Sequence, residues 1–179
     1  MQNKADAVQG RTILPRDKAL FYWEKRDFFY FTREGKEFFK NHGNIGISFC
    51  SFAIKRNVWS KTGCDDALMN EDKVIQKKLV DGGYRIAWAY DSIAYHGHNY
   101  SLKSLKNRCE NEGFGWKCAG VRYRFSQMVR DLIQEKWVYG VLVNGLLNRE
   151  IKTPAEALFL FMRPIYLFKG NRFNRVLKS

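Results

Sequence analysis

Residues 70–90 read Asn70-Glu71-Asp72-Lys73-Val74-Ile75-Gln76-Lys77-Lys78-Leu79-Val80-Asp81-Gly82-Gly83-Tyr84-Arg85-Ile86-Ala87-Trp88-Ala89-Tyr90, and the chain runs on to Tyr95-His96-Gly97-His98. A helix and a strand can be read there almost without help from the rest. Asn70 is a good N-cap, and Glu71 and Asp72 occupy the first turn, where free amide groups favour carboxylates. Val74, Ile75 and Leu79 share one apolar stripe, Lys77 and Lys78 lie toward the end, and Gly82-Gly83 supply the stop. Tyr84 to Tyr90 predicts a strand entered directly from those glycines, with Asp91 to Asn99 following it. Helix and strand in alternation point to an α/β fold.

Working outward toward the N-terminus, Ile45 to Ile54 (IGISFCSFAI) has the length and composition of a buried strand. Lys55 to Trp59 then predicts a short helical turn ending near Gly63. Asn41 to Asn44 reads as a turn, and Asp17 to Lys40 as mostly helical with an interruption at Gly35. Thr12-Ile13-Leu14-Pro15 cannot continue as helix through Pro15. Toward the C-terminus, Ser101 opens a basic helical region that reaches about Lys136, with a break expected near Gly113 to Gly115. Thr153-Pro154-Ala155-Glu156 is a further helix start. The expected organisation is an α/β unit over residues 1–125 and a basic, amphipathic helical tail over residues 126–179.

With 179 residues the chain is long enough for one domain with its own core. Aromatic residues make up 16% and the formal charge is +13. That balance suits polyanions: nucleic acid, anionic lipid headgroups or phosphorylated small molecules. The excess lies in the C-terminal half. Arg163, Lys169, Arg172, Arg175 and Lys178 stand there without an acid from Arg163 to Ser179, beside Phe159, Phe161, Tyr166 and Phe168. Such a cluster suits docking on an anionic membrane. The four cysteines form no CxxC pair and no histidine stands at zinc-finger spacing from them, so a reduced, cytoplasmic setting is the default. No apolar run approaches the roughly 20 residues of a spanning helix.

The ordered series Asn44-Ile45-Gly46, Lys55-Arg56-Asn57-Val58-Trp59, Gly63, Asn70-Glu71-Asp72, Gly83-Tyr84-Arg85-Ile86 and Tyr95-His96-Gly97-His98 resembles the second half of family-2 glycosyltransferases of the GT-A fold. The rhamnosyltransferase-like subgroup is the most similar in this respect. The resemblance runs from about Ala5 to Gly120 and rests on the acidic pair, the Gly-Tyr and the histidine in order. It implies a partial GT-A, Rossmann-like sheet with flanking helices. It also implies inverting transfer of a sugar from a nucleotide-diphosphate sugar to a glycan or lipid-linked acceptor, as in cell-surface polysaccharide biosynthesis. The corresponding location is the cytoplasm, peripheral at the inner face of the plasma membrane.

The residue types fit that chemistry. One carboxylate must take the proton of the attacking acceptor hydroxyl, and the leaving diphosphate must have its charge neutralised. By the resemblance Asp72 is the base, Glu71 its support, and His96, with His98 two residues on, helps hold a divalent metal such as Mg or Mn. Trp88 and Tyr95 are candidates for the acceptor-binding wall. The family's nucleotide half, with its Asp-x-Asp, has no counterpart here: no Asp-x-Asp occurs in the sequence, and Asp65-Asp66 lies in the acceptor loop. The expectation is therefore a fragment carrying base and acceptor side, inactive by itself, with the nucleotide-binding residues unassigned. The competing reading is a non-catalytic basic binding module for nucleic acid or a partner chain. Nucleic acid ranks lower, because no RNP-like motif, KH loop or recognisable basic helix occurs.

Overall fold

The computed structural model describes residues 5–16, 18–25, 47–63, 71–134 and 136–173. The expected helix over residues 17–40 is seen only as α1 (Tyr22–Lys25), residues 18–21 being non-helical; Asp17, residues 26–40, the 41–44 turn, Ile45, Gly46 and the Asn70 cap lie outside the described residues, as do Arg175 and Lys178. The described part is mixed α and β. Three strands, β1 (Ala7–Ile13), β2 (Phe52–Ile54) and β3 (Ile86–Tyr95), form one sheet in the order β2-β1-β3. β1 pairs antiparallel with β2 and parallel with β3.

The helix predicted from its caps is present as α3 (Glu71–Asp81), and its stop is a Schellman turn. Tyr84 N–H donates to Leu79 C=O at 2.9 Å and Gly83 N–H to Val80 C=O at 3.0 Å, while Gly83 takes φ 68°. That left-handed φ is what glycine allows there. The predicted short turn is α2 (Arg56–Thr62), closed by Gly63. The strand expected over residues 45–54 is shorter: a 3-10 turn over Phe49–Ser51 precedes β2. β3, in contrast, extends past Tyr90 to Tyr95, because β1 offers it partners as far as Ile13. Ala7, Ile47, Val58, Ile75 and Leu79 form the core between sheet and helices, with Ile54 and Ile86 packed against it.

The chain from 101 on is helical: α4 (Leu102–Cys118), α5 (Phe125–Leu132), α6 (Lys136–Leu147) and α7 (Pro154–Arg172). Ser101 caps α4, its Oγ accepting from Ser104 N–H at 3.2 Å. The break expected near Gly113 to Gly115 is absent, and the glycines serve packing instead. A Cβ at Gly113 would lie 2.0 Å from the Leu167 carbonyl oxygen, and one at Gly170 would lie 1.8 Å from that of Glu110. α4 and α7 thus pack with their backbones in contact. Thr153 and Glu156 make the predicted box at the start of α7. Phe21, Tyr22 and Trp23 of the α1 region share a core with Leu105, Cys109, Val138, Leu142, Ala155 and Leu160, so the helices after residue 126 are packed with those before it.

Candidate functional site

Asp72 sits in the first turn of α3, and side chains of that helix fix its surroundings. Gln76 accepts from Ile47 N–H at 3.2 Å, and Lys73 Nζ donates to Ile47 C=O. Both backbone groups of Ile47 are thereby satisfied by α3. The next residue, Ser48, donates its N–H to the Gln9 amide oxygen, Oε1, at 2.8 Å, and Gln9 Nε2 donates to Ser51 C=O at 3.0 Å. Two buried glutamines, one from β1 and one from α3, therefore hold the segment leading into β2. Neither was singled out from sequence, where a lone glutamine carries no signal.

The Asp72 carboxylate accepts Lys73 N–H at 2.8 Å and lies 3.5 Å from Lys73 Nζ. Burial pushes its pKa up from the usual carboxylate value, and neighbouring Glu71 adds to this, while Lys73 opposes it. It is still one-fifth exposed, so solvent can reach it. A desolvated, water-accessible carboxylate is suited to accepting a proton from a hydroxyl.

The exposed aromatic residues come to the same side. Ala7 of β1 and Ile86 of β3 are paired and face the α3 core, so alternation places Gln9 and Trp88 on that face too. β3 then inserts extra residues: Gly10 pairs with Ala89 but Arg11 with Ile93. The bulge resets the alternation, and Ile13 pairs with Tyr95 on the same face again. Trp88 is 51% exposed and Tyr95 70% exposed, so neither belongs to the core. Tyr90 continues the strip, its ring 6.5 Å from that of Trp88.

The histidines lie farther on, where β3 leaves the sheet. His96 N–H donates to Ile13 C=O at 2.9 Å. The two imidazoles face each other, Nε2 to Nε2 at 2.7 Å, with their ring planes at 89°. At that distance one ring donates and the other accepts. His98 N–H donates to Glu24 Oε2 at 2.6 Å, and its ring stacks on Tyr100. Burial lowers the His98 pKa, helped by His96 and Arg108, whereas burial raises that of Glu24 against the His98 N–H. Among the described residues no group of three or more His, Cys, Asp or Glu side chains is arranged to hold a metal ion. The imidazoles are spent on each other and the Glu24 oxygen on a backbone amide. Among the described residues these two imidazoles are joined by no third His, Cys, Asp or Glu side chain placed to share a metal ion. The structure brings Asp72, Glu71, Trp88 and Tyr95 to one side of the sheet and sets His96 and His98 beyond its end.

Comparison with models of known families, with curated proteins and with solved structures gives no match in any of the three. The functional reading therefore rests on the residues and their geometry.

The charged tail differs from its sequence reading. Arg163 is buried and paired with Glu112 of α4, and Lys169 pairs with Glu110 at 2.9 Å. Of the basic cluster expected to form one docking face, Arg163 instead ties α7 to α4. No helix among the described residues is long and apolar enough to cross a membrane.

Proposed function

We propose that this chain carries the acceptor side of an inverting glycosyltransferase, with Asp72 as general base toward the acceptor hydroxyl. The observation that carries the reading is the desolvated Asp72 carboxylate in the first turn of α3, beside a sheet face bearing exposed Trp88 and Tyr95. The same order of elements that carries the family resemblance supports it: acid-started helix, glycine stop, strand, histidine. In the proposed step the acceptor oxygen attacks the anomeric carbon of a nucleotide-diphosphate sugar, the bond to the diphosphate breaks, and the acceptor's proton passes to Asp72 Oδ. Glu71 keeps the local field negative and so favours that proton. Trp88 and Tyr95 offer flat apolar surfaces on which a sugar ring can stack.

The test starts from the coding DNA upstream of Met1 and assays the polypeptide which that reading frame encodes, with nucleotide-diphosphate sugars and lipid-linked or glycan acceptors. Asp72→Asn is expected to lower kcat by about 10²–10⁴-fold with acceptor KM little changed. Trp88→Ala is expected to raise acceptor KM instead. Transfer that survives Asp72→Asn at full rate would remove Asp72 from the reaction.

A further inference from the structure

α4 ends at Cys118, the chain turns through Gly120 at φ 82°, and Val121 to Arg124 lead into α5. Between this turn and the end of α7 lies a groove of about 560 Å³. Its charged lining is Lys117, Arg122, Arg124 and Arg172, and among the described residues no carboxylate lines it. The floor is fixed: Asn171 accepts Tyr123 N–H at 2.8 Å and donates to Gly113 C=O at 3.0 Å and Val121 C=O at 2.9 Å, and Tyr123 Oη donates to Asp131 at 2.7 Å. The buried acid near the groove, Asp131, thus accepts from a tyrosine of that floor.

The outer face of α5 is the second observation. A helix packed on a core normally turns its polar side to water. Here Met128 and Asp131 face inward, while Phe125, Val129 and, at the cap just past the helix end, Ile133, spaced four apart, are exposed, Phe125 at 64% and Ile133 at 75%. Phe173, next to Arg172, is exposed as well. Cations around a groove, with an apolar stripe beside them, are the surface of a helix that lies in a bilayer interface. A soluble phosphate ester accounts for the cations but not for the stripe, and a nucleic acid backbone does no better.

We infer that the Lys117–Arg122–Arg124–Arg172 groove and the Phe125–Val129–Ile133 stripe of α5 dock this protein on an anionic membrane, the cations taking lipid phosphate headgroups and the stripe entering the acyl boundary. The surface lies on the helical side of the molecule and does not depend on Asp72, so it stands or falls apart from glycosyl transfer.

The experiment is vesicle sedimentation of the whole chain on phosphatidylcholine alone and on phosphatidylcholine with about one-third phosphatidylglycerol, at low and physiological salt. Binding is expected on the anionic vesicles only and is expected to weaken with salt. Arg122→Gln with Arg124→Gln should weaken it about 30-fold, near fivefold per cation. Phe125→Ser with Ile133→Ser should weaken it while leaving the salt dependence in place. All four side chains are exposed, so circular dichroism should report unchanged folding. Equal binding to both vesicle types, or wild-type binding by either double variant, overturns the proposal. So does a single-stranded oligonucleotide or inorganic pyrophosphate that competes the protein off the vesicles at micromolar concentration, since the groove would then belong to a soluble polyanion.

Discussion

At the scale of single residues, Asp72 shows how a catalytic assignment and a stability effect come from one environment. Its folded pKa is raised above the ordinary 3.8, with burial as the largest cause. The folded state therefore binds this proton more tightly than the unfolded chain. Between the unfolded and folded values stability falls as pH rises, and above the folded value the full penalty persists. An asparagine keeps the shape and carries no charge to desolvate. Asp72→Asn is thus expected to melt at or above the wild-type temperature at pH 7, and the difference should shrink as pH falls through the raised pKa. Thermal melts at pH 7 and pH 4 decide it. A variant that is less stable at pH 7 would mean that the Lys73 ion pair, 3.5 Å away, outweighs burial. Loss of transfer without loss of stability is what separates a base from a structural carboxylate.

At the scale of elements, glycines that look alike in sequence do opposite things. Gly113 and Gly170 sit where α4 and α7 touch backbone to backbone, and Gly140 in α6 has open space where a Cβ would go. Gly113→Ala is expected to cost about 1–3 kcal/mol, because the helices must separate. Gly140→Ala should add about 0.5–1 kcal/mol, since helix propensity rises at no steric expense. Urea unfolding of the two single variants measures both signs, and a stabilised Gly113→Ala would contradict the close crossing. The same contrast explains what could be read from sequence. α2, α3 and the start of α7 are marked by residues within their own few turns: Gly63, Gly82-Gly83, Thr153 and Glu156. Continuity of α4 through Gly113 is decided by Leu167, far along the chain. β1 was not legible as a strand, because its partners lie about forty-five and eighty residues away, and only its last residues fall in the 12–15 stretch that cannot continue as helix. The candidate site divides likewise: the acidic first turn is local and readable, whereas Gln9, Gln76, the β3 bulge and the turning of Arg163 onto Glu112 are products of packing.

At the scale of the whole molecule, the question is what joins the sheet, on which α3 and its Asp72 pack, to the helices that carry the basic groove. The structure assigns that work to the short stretch around α1. On one side Phe21 N–H donates to His98 C=O at 3.0 Å and Glu24 accepts His98 N–H, which fixes the exit of β3. On the other, Glu156 of α7 accepts Tyr22 N–H at 2.9 Å with one oxygen, and Lys152 and Thr153 N–H with the other at 2.8 Å. Trp23 Nε1 donates to the Glu156 carbonyl at 2.7 Å, and Tyr22 Oη to Val141 C=O at 2.9 Å. Glu156 is buried, so its charge is compensated by these donors rather than by water. Removing it takes the carboxylate acceptor from three amides, one of them on α1. Glu156→Ala is expected to cost about 2–4 kcal/mol, and Glu156→Gln less, since the amide oxygen still accepts. The informative readout is amide hydrogen exchange. Faster exchange at Tyr22, Lys152 and Thr153 follows from the lost bonds alone. If α1 couples the two halves, exchange at His98 must rise as well, although Glu156 does not touch it. Protection at His98 that stays at the wild-type level while Tyr22 opens would show sheet and helices to be held together by the apolar core around Phe21 and Trp23, with the hydrogen bonds of α1 dispensable to the union.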